Sequence, residues 1–252
     1  MKKKSFNKFK DLVVMALSLG VFFVIWELFV KYSDISAIVL VAPSEILPVI
    51  TNNYDTLLKE LKYTSEEVLY GWFWGNLLAL LTSIIIFSYK KISDSVISLG
   101  VIVNAVPLIA LAAILGGFIG TDQNAKTVIV AILCFFPMLI VATTAFKRVN
   151  GDFKRLFDSY NSSKKITFIK LIFPASLPAI FTVLKLNVVN AITTAIVSEF
   201  FGAHGGIGQF ILARKGFYDL PMVWAGIFFI VISGSLFYFS IEIIKKLFIK
   251  WN

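Results

Sequence analysis

The sequence predicts an all-α, polytopic membrane protein with about six transmembrane helices. Three observations support this prediction: 58% of the 252 residues are hydrophobic, only 15% are charged, and the charges gather between long apolar runs. Soluble domains are roughly half apolar and carry about 25% charged residues. Because a charged side chain is costly at the centre of a bilayer, this segregation is typical of a chain that crosses lipid several times.

Six apolar runs are long enough to cross the hydrocarbon core, for which a helix needs roughly 20 residues. They cover residues 12–30, 68–88, 96–120, 127–146, 179–201 and 223–241. The first run carries a single charge, Glu27, and the third is interrupted at Asn104 and Pro107. Between the first two runs, residues 53–67 form a candidate amphipathic helix at the surface. We expect one transmembrane domain over residues 1–252, surrounded by the lipid bilayer.

The basic residues predict the orientation, since cytoplasmic loops keep more Lys and Arg than loops on the other side. Most of them fall within residues 2–10, 90–91, 147–170 and 245–250, which all lie on one side of the predicted helices. Both termini are therefore expected in the cytoplasm, with the chain crossing the inner membrane of the cell several times.

Composition argues against several other classes of protein. The net charge of +9 does not indicate nucleic-acid binding, because the basic residues are divided among loops rather than gathered in one patch. A single cysteine, Cys134, excludes a disulfide framework. The chain has no GxxxxGK[ST] phosphate-binding loop and no cluster of His, Asp or Cys near an interface. We therefore expect no catalytic residue, metal or cofactor in this chain. We also expect that the chain is not a membrane enzyme.

The cytoplasmic loop of residues 147–178 predicts a helix, a turn and a second helix. Asn161 is expected to end the first helix in the left-handed conformation, and Ser163 or its neighbour to cap the second. Pro174 and Pro178 are expected to separate that second helix from the fifth apolar run.

The first helix of this loop carries an apolar patch. Leu156, Phe157 and Tyr160 fall on one helix face, with Arg155 and Asp158 at its rim. A rimmed apolar patch suits docking against a partner protein. The alternative is an amphipathic helix that rests on lipid headgroups.

The fifth apolar run carries polar residues at helical spacing. Asn187, Asn190, Thr194 and Ser198 follow at steps of three, four and four, which places them on one face. Such a face either lines a pathway or makes hydrogen bonds between helices, and both interpretations stay open. Glu199 ends the run, either as part of a gate or binding-protein contact, or as an acid at the membrane interface.

Short motifs follow one another along about residues 40–245. The cytoplasmic loop contains Arg-Leu-Phe at 155–157, then Asn161, and ends with Phe-Pro-Ala-Ser-Leu-Pro at 173–178. The others are Glu-Val-Leu-Tyr-Gly at 67–71 with Gly75, Pro-Leu-Ile-Ala-Leu at 107–111, Phe-Phe-Pro at 135–137, Ser-Glu-Phe at 198–200 and Gly-Gly-Ile-Gly at 205–208. As a set, these motifs resemble the permease subunits of binding-protein-dependent ABC importers, in particular the nitrate/sulfonate/taurine branch.

Within this resemblance, Gly71 and Gly75 form a GxxxG motif for close helix packing, and Pro107 breaks the third span. The loop departs from the family's signature of Glu-Ala-Ala, three residues and Gly, because Arg155 replaces the Glu and Asn161 the Gly. Asn adopts the left-handed conformation more readily than most residues, so the helix-turn-helix is expected to survive. Loss of the Glu removes one charged contact with a partner.

The resemblance implies the fold and the role of a type I ABC importer permease. Two such subunits, here expected to be two copies of this chain, would form the pathway for a small solute delivered by an extracellular or periplasmic binding protein. Residues 155–158, Tyr160, Asn161 and Ser163 would contact an ABC ATPase dimer, and ATP and Mg would be used by that partner. The alternative is a secondary carrier or a stand-alone substrate-binding membrane subunit.

Overall fold

Long apolar runs without strand-like alternation fold as helices throughout the part of the chain that the structure describes. The computed structural model describes residues 2–33, 40–149, 151–202 and 204–249, with side chains except at 2–12, 15, 16, 90, 91 and 108. The helices are α1 (Lys2–Tyr32), α2 (Pro43–Asn52), α3 (Tyr54–Phe87), α4 (Lys90–Asn104), α5 (Leu108–Ile119), α6 (Gln123–Lys147), α7 (Gly151–Ser159), α8 (Lys164–Thr167), a π-helical turn (Phe168–Ile172), α9 (Phe173–Glu199), α10 (Ile207–Gly216) and α11 (Leu220–Phe248). The all-α prediction is confirmed.

Four helical segments of the described chain are long and apolar enough to cross a membrane: α3, α6, Lys164–Glu199 and α11. The pair α4 and α5 makes a fifth if it is counted as one broken span. The first predicted span, residues 12–30, lies within α1, where residues 12, 15 and 16 lie outside the described side chains. The membrane span predicted for residues 12–30, which would bring the total to six, therefore stays a prediction.

The third predicted span consists of two helices. α4 ends at Asn104, and α5 begins directly after Pro107, whose φ of −56° and ψ of 127° lie outside the helical region. Proline has no N–H and disfavours helical geometry in the residue before it. The predicted break is thus confirmed, and residues 92–104 and 109–119 are bent by 98° relative to each other.

The second predicted span starts well before its apolar run. α3 begins at Tyr54, so residues 53–67, expected as a separate helix at the surface, largely form the first part of α3. Thr64 and Glu67 are fully buried there. The expectation of a surface helix is wrong, because this segment continues directly into the apolar part of α3, and the Thr64 hydroxyl donates to the Glu199 carboxylate at 2.6 Å.

Pro174 and Pro178 do not separate the loop from the fifth span, which corrects the sequence prediction. The helical path is continuous over Lys164–Glu199. In the π-helical turn, the N–H that donates to the Phe168 carbonyl belongs to Phe173, five residues on. This wider turn makes room for the ring of Pro174, which would crowd an α-helical turn, and Pro178 lies inside α9.

The described chain contains two compact units, of which one comprises Met1–Leu58 and Phe210–Phe228. In this unit the Glu27 carboxylate accepts hydrogen bonds from the Ser44 N–H (3.0 Å) and hydroxyl (2.6 Å) at the start of α2. It also pairs with Lys31 at 2.6 Å. Because a carboxylate is favoured at a helix N-terminus, these contacts explain the single charge of the first predicted span.

The other unit comprises Lys59–Gln209 and Phe229–Asn252. α6 and α9 pack against each other at its centre, and α4 and α5 pack against them. Phe168 of the π-helical turn contacts Phe146 of α6 and Phe87 of α3, with ring centroids 5.3 and 5.9 Å apart. These rings fasten the π-helical turn to the ends of two membrane helices.

Candidate functional site

α7 presents an exposed apolar face. Leu156 and Tyr160 are 50% and 77% exposed, whereas Phe157 is half-buried. Phe153, 56% exposed, lies on the same face three residues before Leu156. Sequence analysis missed Phe153 because it considered only the second half of the helix; the i, i+3, i+7 spacing of the three residues was the available signal.

The charged residues of α7 lie beside this face. The Arg155 and Asp152 side chains are 86% and 83% exposed, and their charged atoms are 3.9 Å apart. Asp158 is exposed as well. An exposed pair of this kind adds little stability, and a contact of Arg155 and Asp158 with a partner stays a prediction.

The turn after α7 has the geometry of a Schellman motif. Asn161 has a φ of +50°. Its N–H donates to the Asp158 carbonyl (2.9 Å), and the Ser162 N–H donates to the Phe157 carbonyl (3.1 Å), which satisfies carbonyls that the helix end leaves free. Ser163 then caps α8 by accepting the Ile166 N–H at 3.4 Å. The predicted turn and cap are confirmed.

Substitution of Asn161 is expected to change the order of this turn. Asn161→Gly should leave it intact, since glycine adopts a positive φ freely, whereas Asn161→Val should cost about 1 to 2 kcal/mol. The measurement is amide hydrogen exchange of residues 157–162, with roughly tenfold faster exchange expected in Asn161→Val alone. Equal exchange in both variants would contradict the role given to this backbone conformation.

The polar residues on one face of α9, the polar stripe, differ in burial. Asn187 and Thr194 are fully buried and Ser198 nearly so, whereas Asn190 is exposed. The Ser198 hydroxyl donates to the Ala195 carbonyl of its own helix at 2.8 Å. Residues that share one helix face therefore have different neighbours.

Asn187 lies at the centre of a hydrogen-bonded network that joins three helices. Its side-chain NH₂ donates to the Asn76 amide oxygen on α3 (2.7 Å) and to the Cys134 carbonyl on α6 (2.8 Å). The Asn190 NH₂ donates in turn to the Asn187 amide oxygen (3.2 Å). Asn187 thus makes the helix–helix hydrogen bonds that were one of the two interpretations of the stripe.

Glu199 is fully buried and is not an acid exposed at the interface. Its carboxylate accepts hydrogen bonds from the Thr64 hydroxyl (2.6 Å) and the Gly208 N–H (2.5 Å). The Thr64 hydroxyl oxygen also accepts the Ile207 N–H (2.8 Å). Gly206 has a φ of +105°, and a Cβ at this position would collide with the Glu199 carboxylate. Glu199 therefore fastens the first turn of α10 to α3.

Two further charged side chains are buried beside Glu199. Glu67 on α3 and Lys126 on α6 are 0% and 1% exposed, and both interact electrostatically with Glu199. The Lys126 ammonium also donates a hydrogen bond to the Thr121 carbonyl. Sequence analysis placed Glu67 only within a motif and gave Lys126 no role, because each stands at the edge of an apolar run. Glu67, Lys126 and Glu199 are hereafter the acid–lysine cluster.

Gly71 and Gly75 lie at a close contact between α3 and α6. A Cβ at Gly71 would approach the Val130 side chain to 2.6 Å and the Thr127 carbonyl oxygen to 2.8 Å. At Gly75 the obstacle is the backbone of Ala131, which includes its carbonyl group. Both glycines therefore have the packing environment expected of the GxxxG motif.

A cavity of about 360 Å³ lies beside the break between α4 and α5. Residues from the break, including Asn104 and Pro107, form one side, and Phe136, Asn190 and Thr194 contribute to the rest. We refer to it as the break pocket. It brings together two predicted pathway residues, Asn190 and Thr194, with the predicted break, whereas Asn187, Ser198 and Glu199 do not line it.

The described residues contain no group of three or more His, Cys, Asp or Glu side chains arranged to hold a metal ion. His204 is exposed, and Cys134 is buried with its thiol 3.6 Å from the Asn187 carbonyl. The polar groups along α9 and beside it are amides, hydroxyls and the acid–lysine cluster.

Comparison with known proteins decides the family. The sequence profile of the binding-protein-dependent transport system inner membrane component family matches residues 75–251. The chain belongs to this family. It is a membrane-spanning permease subunit of the ABC importer type, as the motif set predicted, and membership implies ATPase and binding-protein partners in general.

Two named relatives each match about two thirds of the permease. It is 29% identical over 175 residues to the formylaminopyrimidine transport permease of Halalkalibacterium halodurans, covering 69% of this chain and 70% of that one. It is 23% identical over 163 residues to the taurine transport system permease of Escherichia coli, covering 65% and 58%. The predicted resemblance to the sulfonate and taurine branch is confirmed.

A solved structure shares the fold of the permease. The inward-facing MetNI methionine ABC transporter contains a chain that matches with a TM-score of 0.67 and 15% identity, over 77% of this chain and 96% of that chain. At this identity the likeness concerns the fold alone. It confirms the predicted fold of a type I importer permease.

Proposed function

We propose that two copies of this permease form the translocation pathway for a small solute that an extracellular binding protein delivers. ATP and Mg are used in separate ABC ATPase subunits, which dock on α7. Both termini and α7 lie on the cytoplasmic side of the inner membrane, in agreement with the concentration of Lys and Arg there. The relatives named above support a small polar solute.

The exposed apolar face of α7 is the observation that carries this proposal. Phe153 and Leu156 of the nine-residue α7, and Tyr160 directly after it, are each at least half exposed. Clustered aromatic side chains of this kind supply most of the binding energy in protein interfaces. The flanking Arg155 and Asp158 add charges that set orientation and partner choice.

The connection from α7 to the membrane is short and held by hydrogen bonds and ring contacts. The Schellman motif at Asn161 and the Ser163 cap fix the angle between α7 and α8. The π-helical turn then continues into α9, and Phe168 is packed against α3 and α6. A force applied to α7 therefore reaches three membrane helices through packed side chains rather than through a loose loop.

The test is co-purification of tagged permease from detergent with its ATPase, identified by mass spectrometry. Phe153→Asp and Tyr160→Asp are each expected to lower affinity for the ATPase by roughly 2 kcal/mol or more, about thirtyfold. Phe217→Asp is the matched control, since Phe217 is 78% exposed, almost as much as Tyr160, but lies outside the loop. It should retain the ATPase.

Two outcomes would argue against the proposal. Retention of the ATPase in both α7 variants would remove α7 from the interface. Purification of the wild-type permease without an ATPase, together with solute uptake by reconstituted vesicles under an ion gradient alone, would favour the secondary carrier.

A further inference from the structure

Hydrogen bonds to neighbouring groups fix how the polar side chains of the break pocket are turned. It contains three polar side chains, Asn104, Asn190 and Thr194, among apolar ones such as Phe136. None of its lining residues carries a charge. Which groups the pocket offers to a solute depends on how the two amides are turned, because an amide has a donor end and an acceptor end.

The orientation of the Asn190 amide follows from a chain of hydrogen bonds that begins at a backbone carbonyl. The Cys134 carbonyl can only accept, so the Asn187 group that faces it at 2.8 Å must be the NH₂. The Asn187 oxygen is therefore the atom 3.2 Å from the Asn190 side chain, which must donate its own NH₂. Asn190 is left with its amide oxygen and the second hydrogen of its NH₂ for a solute.

The other two polar side chains are turned the same way. The Asn104 NH₂ donates to the Gly100 carbonyl at 3.0 Å, which leaves the amide oxygen and one N–H. The Thr194 hydroxyl donates its hydrogen to the Asn190 carbonyl at 2.6 Å, which leaves the lone pairs of its oxygen. All three side chains of the break pocket therefore offer an acceptor, and each of the two Asn side chains also keeps one N–H donor.

We propose that the break pocket binds an uncharged solute that presents N–H or O–H donors on one edge and a flat apolar face to Phe136. An anion would find no basic side chain and a cation no carboxylate in the lining, so a charged solute would be desolvated without an opposite charge beside it. The volume of about 360 Å³ suits a small ring compound. This inference rests on the proposed function, since it names the solute class of the same pathway.

Equilibrium dialysis of the purified permease in lipid nanodiscs, with its ATPase where bound, tests the inference with two radiolabelled probes. Cytosine is uncharged and donor-bearing, and methanesulfonate is an anion of similar size. Cytosine is expected to bind saturably and methanesulfonate not to bind. Thr194→Val, which removes one acceptor, should weaken cytosine binding about tenfold, and Thr194→Ser should restore it.

Thr193→Val is the matched control. Thr193 is the neighbouring residue of α9 and makes the same kind of bond, to the Val189 carbonyl at 2.9 Å, but it does not line the break pocket. It should bind cytosine like the wild-type protein.

Three results would overturn the inference: binding of methanesulfonate in preference to cytosine, saturable binding of neither probe, or equal losses in Thr193→Val and Thr194→Val. Because ATPase retention is scored separately, a complex that keeps its ATPase but fails these tests leaves the permease function standing and removes only the solute class. A permease that purifies without an ATPase but still binds cytosine keeps the solute class and argues against the proposed function.

Discussion

Lys126→Met is expected to destabilise the permease by about 3 to 5 kcal/mol, because it removes the only basic member of the acid–lysine cluster. Lys126 is 1% exposed and lies with Glu67 and Glu199, both 0% exposed. Without the ammonium group, two buried acidic side chains remain together. The measurement is the free energy of unfolding in mixed detergent and SDS micelles.

A double substitution separates electrostatic coupling from a packing defect. Lys126→Met combined with Glu67→Gln should recover about 2 kcal/mol relative to the sum of the single losses, since the remaining charge imbalance is smaller. Lys215→Met, at an exposed position, is the control and should stay within about 0.5 kcal/mol of the wild-type protein. Strict additivity of the two buried substitutions would show that the charges of Lys126 and Glu67 do not interact.

Gly75→Ala is expected to destabilise the contact between α3 and α6 by about 1 to 3 kcal/mol, and Gly75→Leu to prevent accumulation of folded protein. The Cβ of Ala would meet the backbone of Ala131, which cannot rotate away as a side chain would. The readouts are thermal unfolding followed by fluorescence and, for Gly75→Leu, size-exclusion chromatography of the detergent extract.

Gly117→Ala is the matched control for this substitution. Gly117 is also helical, but a Cβ there would have no heavy atom within 4 Å. Because alanine has the higher helix propensity, this variant should be stabilised by up to about 1 kcal/mol. Similar unfolding temperatures for Gly75→Ala and Gly117→Ala would mean that the close approach of α3 to α6 is not needed.

Features with a local cause were predictable from the sequence. The break before Pro107, the left-handed Asn161 and the Ser163 cap each depend on the conformational preference of one residue. The close contact at Gly75 depends on a spacing that has only a few structural uses. Local chemistry was sufficient in all of these places.

Features that depend on distant partners were not predictable. Glu199 appeared affordable at a membrane interface, but Thr64, 135 residues earlier in the chain, supplies the hydroxyl that allows its burial. Pro174 appeared to end a helix, but the π-helical turn before it relieves the steric conflict. The stripe of α9 appeared uniform, yet Asn187 is satisfied by α3 and α6, whereas Asn190 lies at the break pocket.

The unbroken helix of Lys164–Glu199 is long enough for a small tilt at one end to move the other end far. Its 36 residues span roughly 50 Å at 1.5 Å per residue. A tilt of about 10° around one end moves the other by about 9 Å. The beginning of this segment follows the α7 turn and its last residue holds the first turn of α10, so a small change of tilt set at the α7 turn would displace α10 by a large distance.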